Sequence, residues 1–131
     1  MEWKVCCHAS KSGDTKMKLR KTKLQDVYVI EIEKLPDERG FFGRTWDKEF
    51  FKSNGLNSEL VQCNISFNKK RGTIRGLHYQ IPPFEEAKLV RCTHGKVFEV
   101  VVDILEAIIF LGSPTTLLFF KTTALKSRLL R

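Results

Sequence analysis

A series of short β-branched and aromatic runs, separated by turn residues, constrains the fold of this chain most strongly. Residues 61–67, VQCNISF, alternate apolar and polar side chains over seven positions, the pattern of a strand with one buried face. Residues 27–32 and 73–80 have the same β-rich composition, as do 88–92 and 96–104. Such a series predicts an all-β sandwich or barrel.

The segments between these runs have the composition of turns. Pro, Asp and Gly in LPDERG, residues 35–40, predict a turn, and so do the polar residues 68–71. Residues 47–55 predict one short helix, with Asp47 as the N-cap and Gly55 as the stop. Residues 81–86 read as a loop, and the two strands around 93–95 are predicted to form a hairpin.

The texture of the chain changes twice along its length, although 131 residues suffice for only one domain with one core. We predict a disordered extension over residues 1–16, a folded β domain over 17–104 and a hydrophobic tail over 105–131. The longest uncharged run, residues 107–120, has fourteen residues, fewer than the roughly twenty that a membrane helix needs. We therefore expect no membrane partner.

The charge pattern favours a small anionic ligand over a nucleic acid. The net charge is +8, but residues 17–104 hold sixteen Lys or Arg against twelve acidic residues, so the predicted domain is only mildly basic. Lys69, Lys70 and Arg71 form a short basic cluster that is typical of a solvated turn. Nucleic-acid binders usually concentrate more basic residues on one face.

The cysteines indicate a reducing compartment. The four of them include no C-x-x-C pair, and Cys63 and Cys92 fall within apolar runs, which is typical of free buried thiols. The ligand spacing of a zinc site is absent. The amino-terminal segment MEWKVCCHASKSGDTK lacks the apolar core of a secretory signal, so we predict a cytoplasmic protein.

Three cationic side chains stand in predicted strands, where apolar side chains would pack better. Arg75 and His78 lie three residues apart, and Lys88 follows in the next run. Unpaired buried charges are costly, so these residues point to a cleft that receives an anion. The alternatives are a structural core histidine or a metal site, and the metal site lacks a second histidine beside His78.

Five sequence blocks resemble the dTDP-4-dehydrorhamnose 3,5-epimerase family. They are DERGFF at 37–42, VQCNIS at 61–66, RGLHYQ at 75–80, KLVR at 88–91 and GKVFEVVVDI at 95–104, in that order. The resemblance implies a cupin-type jelly-roll barrel, a homodimer, no metal and no organic cofactor. It implies a dTDP-4-keto-6-deoxy sugar as the substrate, whose carbons 3 and 5 are inverted on the way to dTDP-L-rhamnose.

The resemblance also implies roles for individual residues. A C–H bond next to a ketone loses its proton when a base stands beside the carbon and a positive group beside the oxygen. His78 would be the base, Lys88 would stabilise the enolate oxygen, and Arg75 would bind the diphosphate. Further positions match family residues that contact the nucleotide or line the pocket: Arg39, Phe42, Gln62 and Asn64.

Two departures from the family pattern set the expectations for this chain. Arg44 stands where many relatives carry an acidic residue, which makes it a weak candidate for substrate contact. The resemblance ends at residue 104: no tyrosine follows Tyr79 and no aspartate follows Asp103 to supply the family's acid and the partner of its histidine. We therefore interpret residues 105–131 as an aberrant ending, such as a frameshift.

An incomplete barrel is the consequence of that interpretation, and we expect it to be a poor catalyst. Three alternatives stay open: a non-catalytic remnant that binds a nucleotide sugar, a related nucleotide-sugar ketoisomerase, and a basic nucleic-acid binder. The RGLHYQ block at residues 75–80 argues against the ketoisomerase. The strand pattern offers no support for the nucleic-acid binder.

Overall fold

Ten strands and one short helix make up the part of the chain that the structure describes. The computed structural model describes residues 16–102, 108–113, 117–121 and 124–130, the last three ranges through their backbone. The elements are β1 Met17–Lys21, β2 Val27–Ile32, β3 Leu35–Asp37, β4 Gly40–Phe42, α1 Lys48–Ser53, β5 Ile74–His78, β6 Ala87–Arg91, β7 Lys96–Val102, β8 Ile108–Ser113, β9 Leu117–Lys121 and β10 Ala124–Leu130.

The strands form two four-stranded sheets and one small ribbon. The first sheet has the order β1-β2-β9-β6, the second has the order β5-β10-β7-β8, and β3 pairs with β4 alone. Every pairing is antiparallel. The prediction of an all-β fold is confirmed.

The outer face of the first sheet is covered by α1. Ile30 is fully buried there against Met17, Phe51 and Leu56. Tyr28 and Ile32 pack on the same cluster, as the period of two in a strand requires. The partly buried Leu19, Ala87 and Leu89 of β1 and β6 also pack against it.

Local sequence determines the position of α1. The Asp47 side chain accepts a hydrogen bond from the backbone N–H of Phe50 at 3.0 Å, so Asp47 is the N-cap. Gly55 follows the helix with φ +70°, a conformation that glycine adopts without steric cost. The predicted helix, its N-cap and its stop are confirmed.

The inner face of the first sheet packs against the second sheet. Val27 and Val29 from β2 form one buried cluster with Val101 from β7 and with Leu24, and Val90 from β6 packs against it. Val27, Val29 and Val90 alternate with the outer-face residues of β2 and β6. The molecule is therefore layered as helix, first sheet, inter-sheet cluster and second sheet.

The prediction of a strand at residues 61–67 is wrong. The structure has no strand there, and Val61, Ile65 and Phe67 are 91%, 89% and 78% exposed. Alternation specifies which side chains share a face, but a strand also needs a neighbour to complete its hydrogen bonds. Within the described residues this segment pairs with no strand.

The predicted hairpin around residues 93–95 is also wrong. β6 pairs with β9 in the first sheet, whereas β7 pairs with β8 and β10 in the second. The connection therefore crosses from one sheet to the other, and Gly95 makes the turn with φ +74°. A short glycine-containing loop fits a hairpin or a crossing between packed sheets, and the sequence does not distinguish them.

The remaining turn predictions are confirmed. Within the segment 35–40, residues 38 and 39 make the tight connection of β3 and β4, and the Asp37 carboxylate accepts a hydrogen bond from the backbone N–H of Arg39 at 2.8 Å. Turns follow at residues 69–72 and 82–84. The strand predicted at 73–80 is β5.

Two predicted segments lie wholly or partly outside the described residues. Of the extension at 1–16, only residue 16 is described. Within 105–131 the backbone of β8, β9 and β10 is described, and these strands pair with β2, β5, β6 and β7. The interpretation of 105–131 as an aberrant ending stays a prediction.

Candidate functional site

The strand register places Lys88 on the inner face of the first sheet. Residues directly opposite each other in antiparallel strands project to the same face. Lys88 is opposite Phe120, which is opposite Val27, and Val27 belongs to the inter-sheet cluster. Val90 gives the same result, because residues two apart in a strand share a face and Val90 packs on the inter-sheet cluster. The Lys88 side chain is 32% exposed, and its ammonium group forms an ion pair with Glu86.

The same reasoning places His78 and Arg75 on the inner face of the second sheet. His78 is opposite Leu125, which is opposite the buried Val101. Arg75 is opposite Ser127, which is opposite Glu99, two residues before Val101. Arg75 and His78 therefore occupy consecutive inner-face positions on β5.

A register shift in β5 makes this arrangement possible. Residues three apart in a regular strand point to opposite faces, because the side-chain period is two. Here Lys126 is opposite Gly76 and Leu125 is opposite His78, so Leu77 is an extra, bulged residue. The bulge returns His78 to the face of Arg75.

The contacts of these side chains leave them accessible. Arg75 donates from Nε to the Asn68 Oδ1 at 2.7 Å and from Nη2 to the Phe67 carbonyl at 3.5 Å. Arg75 and His78 are both exposed. In the described part of the chain, His78 has no side-chain hydrogen bond. The structure thus brings Arg75, His78 and Lys88 to the facing inner sides of the two sheets.

The other predicted binding residues are not joined to this group. Gln62 and Asn64 are exposed on the segment that forms no strand, and Phe42 on β4 is 57% exposed. Arg39 binds the Asp37 carboxylate through Nη2 at 2.6 Å and holds the pKa of that exposed carboxyl below its usual value. Among the described residues, none of these four has a hydrogen bond or ion pair with Arg75, His78 or Lys88.

Arg44, the weak candidate, lies at the helix. Its Nη1 pairs with the Asp47 carboxylate at 2.8 Å, and Asp47 is the N-cap of α1. This contact belongs to the covered outer side of the first sheet, away from the inner faces.

A cleft on the outer side of the first sheet includes none of the predicted residues. Its volume is about 310 Å³, part of which is open to solvent. It is lined by Trp46, Phe51, Asn57, Glu59, Leu60, Ala87 and Leu89.

Glu99, which was not among the residues predicted from the sequence, occupies an inner-face position of β7. Glu99 is only 9% exposed, and burial raises the pKa of its carboxyl to about 7. Its Oε2 is buried and has no hydrogen-bond partner in the described part of the structure. Alternation places Glu99 on the face of Val101, but the valine-rich sequence does not show which face of β7 is buried.

Cys92 lies close enough to Glu99 to interact with it. Burial raises the pKa of the Cys92 thiol, and the negative charge of Glu99 adds to that rise. The thiol donates to the His94 carbonyl at 3.1 Å. Cys92 follows β6 in the connection that crosses between the two sheets. Glu99 therefore lies near the end of the interior at which this connection is found.

The arrangement suits an anionic ligand that undergoes proton transfer. A guanidinium and an ammonium can hold an anion and stabilise a developing oxyanion, and an imidazole exchanges protons near neutral pH. Among the described residues, no group of three or more His, Cys, Asp or Glu side chains could hold a metal ion. The absence of a metal or organic cofactor stays a prediction. Within the same residues, no helix is long and apolar enough to span a membrane.

The sequence matches one family over most of its length. The profile of the dTDP-4-dehydrorhamnose 3,5-epimerase family matches residues 21–123. The enzyme of that name from Sinorhizobium fredii is 41% identical over 92 residues, which are 70% of this chain and 45% of the relative. The chain spans about half the length of the curated relatives it matches.

Solved structures show the same fold. The dTDP-4-dehydrorhamnose 3,5-epimerase from Elizabethkingia anophelis NUHP1 superposes with a TM-score of 0.74 and 35% identity, over 87% of this chain and 68% of that one. A dTDP-6-deoxy-D-glucose-3,5-epimerase from Legionella pneumophila, solved in complex with dTDP-4-keto-L-rhamnose, superposes with a TM-score of 0.76 and 30% identity. That match covers 88% of this chain and 66% of the other, and the prediction of a cupin-type fold is confirmed.

Proposed function

This chain belongs to the dTDP-4-dehydrorhamnose 3,5-epimerase family, and from that premise we propose that it binds a dTDP-4-keto-6-deoxy sugar and removes the proton beside its ketone. The observation that carries the proposal is the strand register. Arg75 and His78 occupy the inner face of one sheet, and Lys88 occupies the inner face of the sheet packed against it.

In the proposed reaction His78 is the base. Its imidazole takes the proton from the carbon next to the ketone, and the electron pair of the broken C–H bond becomes an enolate whose charge rests on oxygen. The Lys88 ammonium stabilises that oxygen. Inversion is completed when the carbon takes a proton on its opposite face, and water can supply it because the interior beside β5 is open to solvent.

Arg75 supplies the binding of the diphosphate. A guanidinium presents a planar fork of donors that matches phosphate oxygens, and Arg75 uses only part of that fork on Asn68 and Phe67. Four further residues are proposed as contacts to the nucleotide or the sugar: Arg39, Phe42, Gln62 and Asn64. Their exposure leaves their side chains available to a ligand.

We propose a homodimer in the cytoplasm. Apolar side chains on β3 and β4 support the dimer, since Leu35, Phe41 and Phe42 are 45%, 45% and 57% exposed. The free thiols of Cys63 and Cys92 support a reducing compartment.

Binding without turnover is the second candidate. It is favoured by His78, which has no hydrogen-bond partner among the described residues to fix its tautomer and orientation. Such a protein would hold the nucleotide sugar through Arg75 and Lys88 and leave the C–H bond intact.

Solvent exchange distinguishes the two candidates. The chain is incubated with the dTDP-4-keto-6-deoxy sugar in D₂O, and deuterium at carbons 3 and 5 is followed by mass spectrometry. We expect incorporation above the enzyme-free background, reduced about a hundredfold or more by His78→Asn. The matched control is His94→Asn, in the connection between β6 and β7, which should exchange like the unmodified chain.

The other outcomes are equally informative. Binding of dTDP-glucose by calorimetry without any deuterium uptake would establish the second candidate. Neither binding nor exchange by the folded chain would contradict the proposed function.

A further inference from the structure

Glu99 is a buried carboxyl that the proposed reaction does not use. Carboxylates are almost never buried without a partner, because removing the charge from water costs about several kcal/mol. Only a paired cation or several hydrogen bonds can offset a cost of that size. Yet Glu99 is 9% exposed and its Oε2 has no partner in the part of the chain that the structure describes. A buried carboxyl of this kind beside a proposed site for an anionic ligand points to a role in binding that ligand.

The nearest cation at an inner-face position is Arg75. Glu99, Ser127 and Arg75 form one row across β7, β10 and β5. Adjacent strands lie ~4.8 Å apart, so the two outer Cα atoms of this row are about 10 Å apart, a gap that a long arginine side chain can cross. His78 stands one row further on, opposite Leu125.

Within the described residues, no neighbouring element forms an ion pair with Glu99. β8 places Leu111 opposite Glu99, and β10 places Ser127 opposite it on the other side. Lys126 and Arg128 flank Ser127 along β10, so their positions belong to the opposite face of the sheet. In the connection after β6, the Cys92 thiol interacts with Glu99, and His94 follows two residues later. From the first sheet, Lys88 lies beyond Val90 on the side away from Cys92 and is paired with Glu86.

We propose that Glu99 controls the availability of Arg75 to the diphosphate of the bound nucleotide, an inference that rests on the proposed function. The ionised carboxylate attracts the guanidinium across the inner face of the second sheet and repels the diphosphate. The protonated carboxyl does neither, so Arg75 stays free for the ligand. Nucleotide binding is therefore stronger at low pH than at high pH.

In the structure Arg75 is not paired with Glu99. Its guanidinium donates to the Asn68 side chain and the Phe67 carbonyl. Burial raises the pKa of the Glu99 carboxyl to about 7, so its charge changes around neutral pH. Raising the pH ionises the carboxyl and creates the competing ion pair.

The test measures the affinity for dTDP-glucose by calorimetry at about pH 6 and about pH 8.5, for the unmodified chain and for Glu99→Gln. Both phosphates of this probe are esterified, so its charge stays constant over this range. We expect equal affinities at the lower pH. At the higher pH we expect Glu99→Gln to bind about tenfold more tightly than the unmodified chain.

Two controls separate this mechanism from a general disturbance. Glu31→Gln removes an exposed carboxylate that pairs with Arg20 on the first sheet, and it should follow the unmodified chain at both pH values. In an Arg75→Gln background, the effect of Glu99→Gln at the higher pH should fall to about threefold or less, because the contested group is gone.

Parallel pH profiles of the unmodified chain and Glu99→Gln would overturn the inference and leave the proposed function intact. An affinity change of Glu99→Gln that is the same at both pH values would also overturn it, since that is the signature of a structural role. Failure of every variant to bind dTDP-glucose would overturn the proposed function and this inference together.

Discussion

The two faces of the first sheet are made by the same strands and serve different purposes. On the outer face, Ile30 and its neighbours are closed off by α1, with Phe51 1% exposed. On the inner face, Val27 and Val29 pack against Val101, but the same face continues to the charged Lys88. Alternation therefore lets one strand contribute to the covered cluster on one side and to the proposed site on the other.

The energetic consequences of the two faces differ as well. Full burial of a large apolar side chain stabilises the fold by roughly 1.5–3 kcal/mol, and the outer face collects several of them. The interior between the sheets holds Glu99, whose Oε2 has no hydrogen-bond partner among the described residues, so the carboxyl lowers stability whenever it is ionised. We expect substitutions on the outer face to affect folding alone, and those in the interior to affect ligand chemistry as well.

The largest expected effect is on the outer face. Phe51→Ala should lower the free energy of unfolding by about 3–5 kcal/mol, because the side chain is buried and leaves a cavity under α1. Urea denaturation measures this loss. Phe67→Ala is the matched control, since Phe67 is 78% exposed and should cost less than about 0.5 kcal/mol. A similar loss of unfolding free energy in both variants would contradict the distinction between the face covered by α1 and the exposed segment that contains Phe67.

The next effect lies on the inner face and concerns catalysis. Lys88→Met should reduce deuterium uptake into the 4-keto sugar about a hundredfold or more, because the enolate loses its cation. The free energy of unfolding should change by less than about 1 kcal/mol, since the Lys88 side chain is partly exposed. Lys18→Met on β1 is the control with normal exchange, and normal exchange by Lys88→Met would remove that residue from the site.

Glu99→Gln should have a smaller effect, visible in the pH dependence of stability. A carboxyl whose pKa is raised from 4.5 to about 7 in the folded state stabilises the fold below the unfolded value, and this contribution is lost as the pH rises to about 7. Glu99→Gln lacks this loss. Thermal unfolding should show equal stability near pH 4 and an advantage of roughly 1–3 kcal/mol for Glu99→Gln above about pH 7. A constant difference at all pH values would contradict the burial of an ionisable group there.

The smallest effect concerns the helix that covers the outer face. Asp47→Ala should lower the free energy of unfolding by about 1 kcal/mol, because the backbone N–H of Phe50 loses its acceptor. Asp47→Asn keeps an acceptor oxygen and should retain most of that stability. Affinity for dTDP-glucose should be unchanged in both variants, and a loss of affinity would show that the two faces are coupled.

Features fixed by neighbouring residues were predictable from the sequence. Helix α1 is an example, because its cap, its stop and its apolar residues all lie between Asp47 and Gly55. Features that depend on distant partners were not predictable. Residues 61–67 alternate well and yet form no strand, and residues 93–95 cross between sheets where a hairpin was predicted.

The site was predictable in its chemistry and not in its geometry. Cations in apolar runs indicated Arg75, His78 and Lys88, but a regular strand would place Arg75 and His78 on opposite faces. Only the bulge at Leu77 unites them, and a bulge is defined by its register with β10. Glu99 was missed because an acidic residue in a valine-rich run draws attention only after the buried face of that run is known.

The central claim is that the ligand enters between the two sheets and leaves the outer face untouched. The most direct test titrates the ¹³C-labelled chain with dTDP-glucose and follows the methyl and imidazole resonances by NMR. The account predicts changes at His78 and at the inner-facing Val90 and Val101, with Ile30 and Ile32 unaffected. Changes confined to the two isoleucines, with His78 unperturbed, would contradict it.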